Sequence, residues 1–385
     1  MSYKAFEDFY KEATIKHLLL FEHQEKLISP PFCTDLCKDY SRVMIIDNNI
    51  SFIDIDTPPA TSKYNSMVSI GNSMWFAPYG IWDQFNTVLE IKNSKPVYHT
   101  LASTSRGQFY NLASSGVTAF AAPLGYDQLS FALFIDNQQV QQIPMPANNC
   151  LKKHMGTTYA NRCYYSPPRG ESLDYNSILK FDPVTEILST IKVDSLPLSG
   201  RKYSDFIAVG TRLYALPFGN TNPLQYALEL DTTNDAIKLI KLDVPAFTKK
   251  YNGGVVIDDV IIALPYGHKD DNNSNVGLIF NTATYEHTTF NIAQTFGGKY
   301  RFRSGINFNG VAVFLPTGTP GVPIVAVDKQ GRCVFVKLYP EFIMGRPIIF
   351  RGKINSIAYK IETKQHFLFT LDQQYQTNFK LLTGI

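Results

Sequence analysis

The stretch "YNGGVVIDDVIIALPYG" at 251–267 decides the fold, because its outline recurs along the chain. It contains a glycine pair, a short apolar run, an Asp-Asp turn and a second apolar run that closes on Pro-Tyr-Gly. The prolines that end these runs are separated by 44 to 51 residues: Pro78, Pro123, Pro167, Pro217, Pro265 and Pro316. This spacing indicates an internal structural repeat.

Each repeat divides into short apolar runs separated by turn-forming residues, as in "GGVVI", "VIIALPY", "VGLIFN" and "EHTTFNI". Such runs are typical of β-strands, which the 27 Phe and 22 Tyr also favour. A repeat of about 40–50 residues is the size of a four-stranded propeller blade. We therefore predict an all-β fold, a seven-bladed β-propeller of four-stranded blades.

The predicted organisation is an N-terminal helical arm over 1–29 followed by a propeller over 30–385. Two strand-like runs within 42–56 flank Asn48-Asn49, and one of them is expected to complete the last blade and close the ring. The predicted blades cover approximately 60–104, 105–150, 151–198, 199–247, 248–296, 297–342 and 343–385.

The predicted arm depends on a helix-like apolar spacing that stops at Pro30-Pro31. It either packs on the propeller or docks another protein. The residues with this spacing are Phe6, Phe9, Tyr10, Ala13, His17, Leu20 and Leu27.

The Gly-Gly start and the Pro-Tyr-Gly end of the repeat resemble the β-propeller repeats of the kelch, WD-repeat and virginiamycin-lyase-like superfamilies, and most closely a Tyr-Pro type of repeat. The resemblance covers about 63–385. It implies a scaffold rather than an activity, since propellers carry many functions.

A cation, usually beside an aromatic residue, precedes the first strand of each repeat. Converging loops would concentrate these cations into a basic collar that binds an anionic ligand such as a glycan. Alternatively, the basic residues are solvated and the aromatic residues pack between blades. The predicted collar consists of Lys63, Tyr64, Tyr110, His154, Lys202, Tyr203, Lys250, Tyr251, Tyr300 and Arg301.

A second set of polar residues is predicted on the rim, where an exposed tryptophan could anchor a partner. The rim set is Trp82, Asp83, Arg169, Glu171, His268, Asp270 and Asp271. The loop that holds the last three residues lacks the spacing of a calcium-binding EF-hand, so we predict no metal site and no cofactor.

Bulk properties narrow the class of protein. The formal net charge of +3 says little about the partner, although a nucleic-acid partner is not expected, and no apolar stretch is long enough to span a bilayer. The N-terminus lacks the pattern of a signal peptide, so we expect a cytoplasmic protein or one within a viral particle. The five scattered cysteines indicate reduced, buried thiols, although Cys33 and Cys37 leave a zinc site as an alternative.

Catalytic motifs such as a G-x-S-x-G elbow, H-E-x-x-H or a P-loop are missing from the sequence. We therefore predict a non-catalytic module for protein–protein interaction, a structural component of a larger assembly such as a virus or phage particle. The alternatives are a propeller lyase or hydrolase acting on an anionic glycan or lactone, and a glycan or receptor binder.

Overall fold

The structure is a computed structural model. It describes residues 14–80, 83–102, 105–124, 129–136, 139–146, 154–170, 175–219, 223–246, 248–267, 275–292, 302, 305–317, 322–374 and 376–382. In these residues the regular structure is almost entirely β, with a single 3-10 turn at Asp35–Cys37. They contain no helix that is long and apolar enough to cross a membrane.

The first compact unit lies within Phe9–Ser195 and contains four sheets, which we name blades 1 to 4. The strands are β1 (Phe21–His23), β2 (Lys26–Ser29), β3 (Arg42–Ile46) and β4 (Ile50–Asp54) in blade 1; β5 (Tyr64–Ile70), β6 (Ser73–Pro78), β7 (Thr87–Lys92) and β8 (Lys95–Thr100) in blade 2; β9 (Ala113–Ser114), β10 (Ala119–Ala121), β11 (Phe131–Ile135) and β12 (Val140–Pro144) in blade 3; and β13 (Thr158–Ala160), β14 (Cys163–Ser166), β15 (Ser177–Asp182) and β16 (Ile187–Lys192) in blade 4.

The second compact unit lies within Leu196–Ile385 and contains blades 5 to 8. The strands are β17 (Ile207–Val209), β18 (Arg212–Ala215), β19 (Tyr226–Asp231) and β20 (Ala236–Lys241) in blade 5; β21 (Val255–Ile257), β22 (Val260–Ala263), β23 (Val276–Asn281) and β24 (His287–Asn291) in blade 6; β25 (Gly305–Phe308), β26 (Val311–Phe314), β27 (Pro323–Val327) and β28 (Cys333–Leu338) in blade 7; and β29 (Phe342–Met344), β30 (Ile348–Phe350), β31 (Lys353–Lys360), β32 (Gln365–Leu371) and β33 (Thr377–Leu381) in blade 8.

Successive strands of each blade pair antiparallel in chain order, except in blade 8, where both β29 and β30 pair with β31. Serial four-stranded meanders of this kind are the blades of a β-propeller. The predicted all-β propeller of four-stranded blades is therefore confirmed, but the predicted number of seven blades is wrong, because the described residues form eight sheets of four or five strands.

Blade 6 shows how the repeat produces this structure. The Asp258-Asp259 turn joins β21 to β22, and Asp258 has a φ of 53°, which suits a tight two-residue turn. Apolar residues of β21, β22 and β23 are buried, whereas the fourth strand is half-exposed. Neighbouring blades share their apolar cores: one cluster joins blades 5 and 6, and another joins blades 6 and 7.

The N-terminal predictions are wrong for the described residues. Residues 14–20 have no regular structure and Phe21–His23 and Lys26–Ser29 are strands, so this part of the predicted arm is not helical. Residues 1–13 lie outside the described residues. The hairpin around Asn48-Asn49 is confirmed, but both of its strands belong to blade 1 and do not complete the last blade. Residues such as Leu19 and Leu20 are apolar because they are buried in the core. Their spacing resembles that of a helix because short apolar runs fit more than one type of backbone.

Candidate functional site

Several motif prolines lie where backbone hydrogen bonds fasten neighbouring blades within one compact unit. The N–H of the residue after the proline donates to a carbonyl in the segment leading into the same blade. These bonds are 2.7–2.8 Å long and join Tyr79 to Lys63, Leu124 to Gln108, Phe218 to Lys202 and Tyr266 to Lys250. The proline carbonyl in turn accepts from the next blade, as in Pro78 with Phe109 and Pro123 with His154. The repeated motif thus builds a backbone latch.

The collar positions lie in these latches, and their side chains are buried. Every described member has a relative exposure of 3% or less: Lys63, Tyr64, Tyr110, His154, Lys202, Tyr203, Lys250 and Tyr251. Tyr300 and Arg301 lie outside the described residues. These eight side chains therefore point into the protein and are not exposed at a collar. An anionic ligand at these positions stays a prediction.

Lys63 shows how a buried cation is accommodated. Its ammonium donates to the Tyr40 carbonyl at 3.1 Å, to Ser41 Oγ at 2.7 Å and to Thr57 Oγ1 at 3.3 Å. Burial lowers the pKa of this ammonium because the charged form loses its hydration. Its hydrogen-bonding capacity is satisfied within the fold.

Two fully buried histidines, His17 before blade 1 and His154 before blade 4, have matching environments. His154 Nδ1 lies 3.0 Å from the Pro167 carbonyl and Nε2 lies 2.8 Å from the Tyr175 hydroxyl. His17 lies at 3.1 Å from the Pro30 carbonyl and 3.0 Å from the Tyr40 hydroxyl in the same way. Burial lowers the pKa of His154 to about 4, so it is neutral at neutral pH and both nitrogens are bound to the fold.

The described rim residues are also bound within the fold. The Asp83 carboxylate accepts from the Thr61 N–H at 2.6 Å and from Thr61 Oγ1 at 2.8 Å. Arg169 is buried, at 8% exposure. The remaining rim residues, Trp82, Glu171, His268, Asp270 and Asp271, lie outside the described residues.

A cleft of about 140 Å³ between blades 1 and 2 was not predicted from the sequence. Its apolar lining comes from Ile28, Ile45, Met74 and Ile91. Polar residues of three hairpins complete its lining: His23, Gln24, Lys26, Asn72, Asn93 and Ser94.

The turns around this cleft are tight. Gln24, Asn93 and Ser94 have φ values of 49°, 52° and 60°, which belong to two-residue hairpin turns. Gln24 Nε2 donates to Asn72 Oδ1 at 3.3 Å and so links blades 1 and 2 beside the cleft. His23 Nδ1 lies 2.8 Å from Ser69 Oγ, and burial lowers the pKa of this imidazole. The cleft is therefore pre-formed, with a small apolar floor and an accessible lining that is mostly polar.

Comparison with known proteins shows the fold. The structure is similar to that of the computationally designed Ika8 protein, with a TM-score of 0.56, 9% identity, and coverage of 96% of this chain and 98% of that chain. It is also similar to apo AztD from Citrobacter koseri, with a TM-score of 0.51, 11% identity, and coverage of 84% and 87% respectively. No family model and no curated protein matches the sequence.

Proposed function

We propose that this β-propeller is a non-catalytic interaction module, which accepts one apolar side chain of a protein partner in the cleft between blades 1 and 2. The volume of the cleft carries the proposal. Pockets for drug-sized ligands measure roughly 300–1,000 Å³, whereas an apolar cavity of about 150 Å³ holds a benzene-sized group. A cleft of about 140 Å³ thus fits a single aliphatic or aromatic side chain.

The lining supports the same occupant. Ile28, Met74 and Ile91 are at most 6% exposed and belong to the shared core of blades 1 and 2, so they form a firm but small apolar floor for the tip of an anchor, while the mostly polar edge can contact the backbone of the partner. Side chains that fill pockets of this kind dominate the affinity of many protein interfaces. The tight turns at the edge reduce the entropy lost on binding, since they are ordered beforehand. Lys26 adds a positive charge that favours an acidic residue beside the partner's anchor.

The test selects binding peptides from a displayed library of short random sequences, with the full chain as target. The blocking variant is Asn72→Trp, at the exposed residue that precedes β6 and lines the cleft. The control is Thr211→Trp, since Thr211 is also exposed, follows a glycine and precedes the second strand of its blade. We expect peptides with an apolar anchor that lose affinity for Asn72→Trp and retain it for Thr211→Trp. Equal binding to both variants would remove the proposal.

A lyase or hydrolase mechanism through His154 is disfavoured, because both of its ring nitrogens are hydrogen-bonded within the fold. His268, the other histidine considered for it, lies outside the described residues. Membership of a larger assembly such as a virus or phage particle stays a prediction, and the cleft would supply one contact in such an assembly.

A further inference from the structure

Cys33 and Cys37 form a buried pair of reduced thiols beside the latch of blades 1 and 2. The Cys37 N–H donates to the Thr34 carbonyl at 3.0 Å and closes the 3-10 turn Asp35–Cys37. This turn places Cys37 Sγ 3.3 Å from the N–H of Thr34, the residue that follows Cys33, so the two cysteines lie side by side. Cys33 is fully buried, whereas Cys37 is 8% exposed and follows the exposed Leu36.

The Cys37 sulfur has one acceptor and two donors around it: its thiol donates to the Ile15 carbonyl at 3.2 Å, and two groups of Thr34 can donate to its thiolate. The Thr34 N–H donates to Cys37 Sγ at 3.3 Å, and Thr34 Oγ1 lies 3.4 Å from the same sulfur. That hydroxyl oxygen accepts the Ile15 N–H at 3.1 Å, which leaves its proton able to point at Cys37. Hydrogen bonds to a charged sulfur lower the pKa of a thiol.

Two lysines add positive charge. Lys63 Nζ donates to the Tyr40 carbonyl at 3.1 Å and Cys33 Sγ lies 3.2 Å from the same oxygen, which places the ammonium beside Cys33. Lys16 Nζ lies 5.0 Å from the centre of the Tyr40 ring. Hydrogen bonding with Cys33 and with Thr34, and to a smaller extent the charge of Lys16, outweigh burial and lower the pKa of Cys37 to about 6. The pKa of Cys33 is raised, chiefly through its hydrogen bond to Cys37.

We propose that Cys33 and Cys37 are a redox-sensitive modification site, at which a hydroperoxide converts the two thiols into a disulfide. The Cys37 thiolate attacks the hydroperoxide, the O–O bond breaks, and Cys37 becomes a sulfenic acid while the other oxygen takes up a proton and leaves as an alcohol or as water. The Cys33 sulfur then attacks Cys37 and forms the S–S bond. The sulfenic oxygen leaves as water with the Cys33 proton, so two electrons have passed to the peroxide.

The structure supplies an internal control for accessibility. Cys333 is half-buried and more exposed than Cys37, yet burial raises its pKa to about 11. If exposure governed oxidation, Cys333 would react first. If the fraction of thiolate governs oxidation, Cys37 reacts at least about tenfold faster than Cys333 at neutral pH. This factor already allows for the weaker nucleophilicity of a thiolate with a low pKa.

The experiment treats the reduced full chain with limiting hydrogen peroxide. Samples are quenched with an alkylating reagent at intervals and mapped by mass spectrometry without reduction. We expect Cys33 and Cys37 to lose their thiols together, yielding a cross-linked 33–37 peptide at least about tenfold faster than Cys333 is oxidised. Oxidation of Cys333 at an equal or greater rate, or thiol loss at 33 and 37 without the cross-link, would overturn the proposal. This comparison needs no substitution.

A variant separates the two steps. In Cys33→Ser the second step is blocked, so a dimedone-type probe is expected to label a sulfenic acid on Cys37. A folded Cys33→Ser protein, verified by its thermal melt, that gives no adduct at Cys37 would contradict the assignment of Cys37 as the attacking thiol. If this variant does not fold, the wild-type kinetics decide.

Discussion

Replacing His154 by glutamine should change how stability depends on pH. The neutral imidazole donates from Nδ1 to the Pro167 carbonyl and accepts the Tyr175 hydroxyl at Nε2. Glutamine offers one amide donor and one carbonyl acceptor but does not titrate in this range, so it retains the polarity of the site while removing the proton-binding group.

The magnitude follows from the shift in pKa. His154 has a pKa of about 4 in the folded protein, against 6.5 when it is unperturbed. As pH falls below 6.5, the unfolded chain binds a proton that the folded chain does not yet bind, so stability is lost as pH falls towards 4. Between pH 7 and pH 5 this loss amounts to about 2 kcal/mol for this histidine.

The assay measures urea-induced unfolding of the wild type and of His154→Gln at pH 7 and pH 5. Both proteins have the same acidic residues, so the contributions of these residues to the pH dependence of stability cancel when the two free energies of unfolding are subtracted. We expect the stability advantage of the wild type over the variant to shrink by about 2 kcal/mol from pH 7 to pH 5. A difference that is the same at both pH values would refute the assignment of His154 as a buried neutral histidine.

Three further perturbations test the fold. Gly254→Val should destabilise by roughly 1–3 kcal/mol, since a Cβ at this glycine would lie 2.8 Å from Ile261 Cγ2; an unchanged thermal melt would mean that β21 is misplaced. Asp83→Ala should lower the free energy of unfolding by about 1–3 kcal/mol, because the Thr61 N–H and hydroxyl would lose their carboxylate acceptor. Urea unfolding measures this loss, and an unchanged free energy would exclude the contact. Deleting 14–29 removes β1 and β2 and should expose the edge of β3, with aggregation in size-exclusion chromatography; a monomer with an unaltered melt would disprove this blade.

The repeat could be predicted because each blade carries its own turn residues and apolar runs. Blade 1 was missed although its signal is present in the sequence: "SPPF" at 29–32 matches "SPPR" at 166–169, and Pro30 precedes Pro78 by 48 residues. The helix-like spacing before it obscured this copy, because short apolar runs fit both a helix and a strand. The Phe32 N–H donates to the Lys16 carbonyl at 2.8 Å, so this copy forms the same latch as the others.

The site was harder to predict for two physical reasons. A lysine in a loop of the sequence gives no sign of whether oxygen atoms will surround its ammonium, as they surround that of Lys63. The cleft combines hairpins near positions 24, 72 and 93, and only the packing of blade 1 against blade 2 brings them together. The spacing of apolar residues predicted a helical arm for the segment around position 24, so the proximity of the three hairpins could not be inferred.

The most direct test of the proposed function follows the methyl group of Met74, which lines the cleft. The full chain, which has seven methionines, is labelled with ¹³C at the methionine methyl groups and titrated with a selected peptide by NMR. We expect the Met74 signal to shift with saturation while that of Met344, in the core of blades 7 and 8, stays in place. A peptide that binds while the Met74 signal does not move would contradict the cleft as the site of interaction.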